Sequence, residues 1–326
     1  MFSKDIGIDL GTANILIYKK GEGVVLNEPS VVAIDADSKD ILAVGNEAKN
    51  MLGRTPGNIK AIRPLKDGVI ADFAAAEMLL EHFIKKIKAK TFFLRPQILI
   101  CCPSNITQVE KNAIREAAER MGARKVIVEE EPKVAAIGAG LDISGSTGNM
   151  VIDIGGGTTD IDVLSLGEIV VSDSIKVAGN SFDSEIIKYI KNKYNLLIGE
   201  TTAEEIKKTI GSVFGKSKKE RMDVKGRDLV TGLPSNIIVT SAEMLDALKD
   251  SAYQIVYAVK HVLEQTPPEL SSDIINTGIV LTGGGSLISG LGDLLSKELR
   301  VPVRLSDSPL TCVADGTGII LENCRF

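Results

Sequence analysis

Cysteine and histidine are scarce in this chain of 326 residues. Its four cysteines, Cys101, Cys102, Cys312 and Cys324, show no Cys-x-x-Cys or Cys/His ligand spacing, and only His82 and His261 could supplement them. A structural zinc site and a disulfide framework are therefore not expected. An excess of basic charge is also missing: 38 Lys and Arg stand against 43 Asp and Glu, a net of −5. That argues against a general nucleic-acid binder, which shows a basic excess or a long basic stripe. No run approaches the roughly 18 apolar residues of a spanning helix. Met1-Phe2-Ser3-Lys4-Asp5 leads directly into a strand pattern rather than a signal-peptide core. The expectation is a soluble, intracellular protein. None of its glycine clusters matches Gly-x-x-x-x-Gly-Lys-[Ser/Thr] or a Gly-x-Gly-x-x-Gly opening a helix, so P-loop and Rossmann sites fail as well.

What is present is an ordinary globular balance, 44% hydrophobic and 25% charged, in a length that suggests about two domains. Residues 5–10 and 15–18 are short apolar runs separated by Gly11-Thr12-Ala13-Asn14, a hairpin pattern. The pattern recurs about half a chain later, where residues 150–154 and 161–164 flank Gly155-Gly156-Gly157-Thr158. Two related halves follow from this repeat. A third cluster, Gly283-Gly284-Gly285, lies between the apolar run 278–281 and a helix-like stretch, 287–299. Thr107-x-x-Glu110 and Thr240-x-x-Glu243 read as capping boxes. The first opens a helix with apolar positions Val109, Ile114, Ala117 and Met121, stopped by Gly122; the second opens a long helix ended by Pro267-Pro268. Strands alternate with helices, as α/β layers require. Residues 33–65 and 179–239 interrupt the halves as inserted subdomains, and a cleft between two lobes is expected.

An anionic phosphate chain needs backbone N–H groups presented by turns free of bulky side chains. Gly11, Thr12, Ala13 and Asn14 offer one such turn and Gly155, Gly156, Gly157 and Thr158 another. Each follows an aspartate at a strand end, Asp9 or Asp153. Magnesium on a nucleotide keeps several waters, so these carboxylates are placed to hold Mg2+ through water. Gly283, Gly284 and Gly285 would let a base or sugar lie against the backbone.

These residues resemble the actin-like ATPase superfamily, and within it the bacterial actin homologues that form cell-shape filaments. Residues 5–14 look like its first phosphate motif, 153–159 its second and 281–285 its adenosine motif. Further matches are Glu130-Glu131-Pro132, residues 136–141, 267–270 and 309–314. The resemblance implies an α/β, actin-like duplicated fold of RNase H type. Domain I would span 1–147, with 312–326 packing back on it, and domain II 148–311. It implies bound ATP or ADP with Mg2+, Glu131 orienting the attacking water with help from the Thr158 hydroxyl, and Glu204 and Lys207 contacting ribose and base. It also implies a homopolymer filament and partners among cell-shape complex proteins. Ile15, Asp160 and Lys133-Val134 depart from the usual threonine, glutamate and Met-Ala.

A final feature is the stretch from Phe83 to Arg95. Phe73, Ala76, Leu80, Phe83, Ile84 and Ile87 form a helical apolar stripe, followed by Phe92, Phe93 and Leu94 between lysines and Arg95. Three apolar residues flanked by cations suit insertion into an anionic membrane surface, which would place the protein at the inner face of the cell membrane. The competing readings are a small-molecule kinase of the same fold and a chaperone-type ATPase.

Overall fold

The computed structural model describes residues 5–87, 95–103, 106–215 and 220–323. Phe92, Phe93 and Leu94 lie outside them. The chain divides into two compact units, residues 1–145, 166–168 and 310–326 in one and 146–165 and 169–309 in the other.

The first unit is built on a five-stranded sheet. The antiparallel meander β1 (Ile6–Leu10), β2 (Asn14–Lys19) and β3 (Gly23–Pro29) leads into a small insertion made of β4 (Val32–Asp35), β5 (Ile41–Val44), α1 (Asn46–Met51) and β6 (Ile59–Ile62). The insertion forms its own sheet, ordered β5-β4-β6, over a small core of Val31, Ala33 and Ala48. The chain continues through a hairpin of β7 (Leu65–Lys66) and β8 (Val69–Ile70), then α2 (Phe73–Lys86), β9 (Gln97–Cys102), α3 (Gln108–Arg120), β10 (Lys125–Glu130) and α4 (Glu131–Gly138). The main sheet is ordered β10-β9-β1-β2-β3, with β1, β9 and β10 parallel.

The second unit repeats that plan. Its meander is β11 (Asn149–Ile154), β12 (Thr159–Ser165) and β13 (Glu168–Ile175), followed by α5 (Gly179–Tyr194). A larger insertion contains β14 (Leu196–Leu197), α6 (Glu200–Ile210), β15 (Arg221–Asp228) and β16 (Pro234–Thr240). After it come α7 (Ser241–Gln265), α8 (Pro268–Thr277), β17 (Ile279–Thr282), α9 (Leu291–Leu299) and β18 (Val303–Leu305). The sheet order, β18-β17-β11-β12-β13, matches the first unit strand for strand in direction, with β11, β17 and β18 parallel. The last helix, α10 (Cys312–Asn323), belongs to the first unit.

The local signals act as their chemistry requires. Thr107 and Thr240 accept from the N–H groups of Glu110 and Glu243, whose carboxylates bond back to the cap N–H groups. Gly122 adopts a left-handed φ of 93° after α3. On α7, Met244, Leu248, Ala252, Ile255, Val259 and Val262 form the buried stripe, each large side chain contributing about 1.5–3 kcal/mol. Three expectations need correction. Val109 is not on the buried face of α3 but 78% exposed, because it sits in the first turn, on the solvent side. The stretch 287–299 is not one helix: a 3-10 turn at Gly284–Leu287 ends, and α9 begins only at Leu291, after Gly290 at φ 86°. Phe73, the first residue of the α2 stripe, is 44% exposed, whereas Ala76, Leu80, Phe83 and Ile84 are buried.

In the first unit α10 lies directly on α4 and β1. A Cβ at Gly138 would overlap the Cys312 carbonyl, one at Gly316 would overlap the Val134 carbonyl, and one at Gly7 would overlap the Thr317 hydroxyl. Glycine at these positions lets helix and strand backbones touch. Glu131, the first residue of α4, is thus carried by a helix clamped from behind.

Candidate functional site

In the first unit the functional residues gather at the carboxyl ends of the parallel strands, where open α/β sheets place their ligands. Asp9 stands opposite Cys101 across β1 and β9, and Glu129 opposite Cys101 across β9 and β10; Glu131 follows one residue after β10. Asp9 is 9% exposed, and its Oδ1 has no hydrogen-bond partner among the described residues. Burial pushes its carboxyl from the ordinary 3.8 up to about 7. The Cys101 thiol is also pushed well up, first by burial and then by the negative charges of Asp9 and Glu131. The strand ends therefore concentrate negative charge that a dication would relieve.

Two carbonyls of the turn after β1 are held by one residue. Ser30, fully buried, donates from Oγ to the Gly11 carbonyl at 2.7 Å and from N–H to the Ala13 carbonyl at 2.9 Å. The Thr12 hydroxyl accepts from the Gly68 N–H at 3.2 Å, and Asn14 donates to Asn27 at 2.5 Å. No described residue accepts from the N–H of Thr12 or Ala13. Ser30 was not legible as a site residue, since nothing about a serine after Pro29 announces that it will fold back on residues 11–13.

In the second unit the same device is built differently. The Gly155 N–H closes the turn onto the Thr158 carbonyl at 2.9 Å. The first N–H groups of α5, from Gly179 and Asn180, donate to the carbonyls of Gly155 and Gly156 at 3.1 and 2.8 Å. With those carbonyls held by the helix, no described residue accepts from the N–H of Gly156, Gly157 or Thr158. These are uncommitted donors of the kind an anion recruits.

Lys207, on α6, donates to the Gly179 carbonyl at 2.8 Å and to Asp183 at 2.9 Å. Burial raises the Asp183 carboxyl, and Lys207 opposes the shift. The structure thus brings Lys207 beside the Gly155–Gly157 turn, whereas Glu204, one turn earlier on α6, pairs with Lys208 at 2.6 Å. Asp153, the penultimate residue of β11, is in register with Asp160 on β12. The Asp160 carboxyl is raised by burial, opposed by the hydroxyls of Ser174 and Thr158. Gly283, at φ 80°, leaves no room for a Cβ because Asp153 and the Ile154 carbonyl fill it, and a Cβ on Gly285 would meet the Ile154 carbonyl at 2.9 Å. Their backbones pack on β11; Gly284 alone of the three is exposed. Lys133 pairs with Glu168.

The donor set fits magnesium held through water. Among the described residues, Asp9 supplies a buried carboxylate oxygen with no protein partner, and no group of three His, Cys, Asp or Glu side chains is arranged to hold a metal directly.

Two sheets of identical strand order, each with a glycine turn after a central strand whose penultimate residue is aspartate, define the actin-like α/β class. The family model described as MreB/Mbl protein matches residues 3–326. The cell shape-determining protein Mbl of Bacillus cereus is 62% identical, over 99% of this chain and 97% of its own length. The structure of MreB5 of Spiroplasma citri bound to AMPPNP superposes with a TM-score of 0.93 at 44% identity, covering 98% of this chain and 96% of that one. A MamK double helical filament shares the fold at 22% identity, with a TM-score of 0.84 and 99% of both chains covered. The chain belongs to the MreB/Mbl family. These likenesses lend no support to a kinase.

Proposed function

We propose that this chain binds and hydrolyses Mg·ATP, and that ATP-loaded copies assemble into actin-like filaments that act at the inner face of the cell membrane to control cell shape. The observation that carries the nucleotide reading is the pair of turns in which the carbonyls of Gly11, Ala13, Gly155 and Gly156 are held by protein partners while no described residue accepts from the N–H groups of Thr12, Ala13, Gly156, Gly157 and Thr158. Membership in a family whose relatives are cell shape-determining proteins, together with the nucleotide-bound state of the Spiroplasma relative and the filament of MamK, supports the rest.

In this reading the N–H groups of Thr12 and Ala13 and those of Gly156, Gly157 and Thr158 bind phosphate, and Lys207 and Glu204 lie toward the ribose and base. Asp9 and Asp153 hold the waters of Mg2+, which when bound supplies neutralising charge to the phosphates. Glu131 and Thr158 orient the attacking water. Phosphoryl transfer depends on positioning and charge neutralisation more than on covalent help, so this set is sufficient. Head-to-tail contacts that do not close a ring give open filaments, and nucleotide state biases which shape of the subunit is populated.

Light scattering and electron microscopy in ATP against ADP test assembly: filaments that form with ATP and not in nucleotide-free buffer are expected, and monomers under every condition would refute the proposal. Glu131→Ala tests the chemistry. Phosphate release should slow by roughly 10²-fold with nucleotide affinity retained, and equal turnover in variant and parent would reassign the residue.

A further inference from the structure

Thr158 is the last residue of the second glycine turn, and its single hydroxyl proton is already committed. Its Oγ1 donates to Oδ2 of Asp160 at 3.0 Å. Thr158 immediately precedes β12, and Asp160 is the second residue of that strand. On the face opposite Asp160, Thr159 is fixed by its own bond to the Val177 carbonyl, at 2.7 Å, and Ile161 and Val163 join the core. Asp160 is 7% exposed, so the acceptor is held within the sheet rather than on a mobile surface side chain.

A threonine hydroxyl carries one donor and two acceptor lone pairs. Once the proton points at Asp160, what Thr158 offers outward is acceptor capacity alone. We propose that Asp160 is a positioning residue that holds the Thr158 hydroxyl as a hydrogen-bond acceptor for the water consumed in ATP hydrolysis. The inference rests on the ATPase reading above and extends it to a residue that acts through Thr158.

The reaction served adds water across the terminal phosphoanhydride. The water oxygen bonds to phosphorus, the bond from phosphorus to the bridging oxygen breaks, and its electron pair leaves on ADP. The protons of the water end on inorganic phosphate and buffer. An acceptor-only Thr158 helps by directing one water O–H away from phosphorus, which turns an oxygen lone pair toward it. Without Asp160 the hydroxyl rotates and its proton competes for the same lone pair.

The test is a double-mutant cycle in the full chain, with parent turnover measured first. Asp160→Ala should lower kcat roughly tenfold, the scale of one charge-assisted hydrogen bond, with affinity for AMPPNP within about twofold of the parent. Affinity for ADP–aluminium fluoride, which mimics the pentavalent phosphorus, should fall about as much as kcat. Asp160→Asn keeps an oxygen acceptor of the same shape and should recover most of the loss, which also guards against misfolding of the alanine variant. In a Thr158→Val background, Asp160→Ala should have no further effect. The inference is overturned if Asp160→Ala turns over like a hydrolysing parent, if the tenfold loss persists without the Thr158 hydroxyl, or if the variant instead raises the Mg2+ concentration needed for half-maximal turnover. A parent that does not hydrolyse ATP would refute the ATPase reading itself.

Discussion

Replacing Asp9 by asparagine should stabilise the nucleotide-free protein while weakening its response to Mg·ATP. The Asp9 carboxyl is buried and lacks a partner at Oδ1 among the described residues, and its pKa is raised from 3.8 to about 7. An unfolded chain loses this proton near 3.8 and the folded one near 7, so between those values the folded state holds more protons and its stability falls as pH rises. The penalty is absent below about pH 4 and complete above about pH 7, where it reaches on the order of 4 kcal/mol. Asparagine keeps the shape and never ionises, so Asp9→Asn should escape that loss. Urea unfolding in EDTA at pH 4.5 and pH 8 measures it: the parent should weaken between the two far more than the variant. Adding Mg·ATP at pH 8 should then raise the parent's midpoint more than the variant's, because bound cation restores the value of a charged carboxylate. Equal pH dependence of the two proteins in EDTA would refute the buried, uncompensated Asp9. Equal stabilisation by Mg·ATP would refute its role toward the cation.

Gly316→Val should destabilise by about 1–3 kcal/mol or more, since its side chain would have to displace the Val134 backbone on α4; an unchanged thermal midpoint would mean that α10 does not clamp α4. Glu243 caps α7 while accepting from Lys193 and Tyr194 of α5; burial opposes ionisation, but those bonds and the Thr240 cap lower its carboxyl to about 2. Its contribution is present above about pH 4.5 and lost as pH falls toward 2, so Glu243→Gln should cost about 1–2 kcal/mol at pH 7 and progressively less in acid. A cost independent of pH would refute that linkage. Phe93→Asp should abolish pelleting with anionic liposomes and leave nucleotide binding intact; pelleting equal to the parent's would remove residues 92–94 from the membrane proposal.

Sequence alone determined whatever depends on neighbours a few residues away. The two capping boxes, the Gly122 stop and the glycine turns after Asp9 and Asp153 follow from the φ range, donors and acceptors of adjacent residues, and the repeat of the hairpin pattern announced two related sheets. The break at Gly290 escaped because apolar periodicity continues across it, and Val109 misled because a first-turn residue can sit on the solvent side of an otherwise regular stripe. Which carbonyls of each turn are held, with N–H groups beside them left uncommitted among the described residues, was decided only by tertiary contacts: Ser30 folded back onto the carbonyls of Gly11 and Ala13, and the start of α5 set on those of Gly155 and Gly156. The same holds for Gly138 and Gly316, whose lack of a side chain acquires meaning only when α10 lies on α4. A backbone carbonyl looks identical at every position of a sequence, so which partner it meets is known only once segments far apart in the chain have been brought side by side.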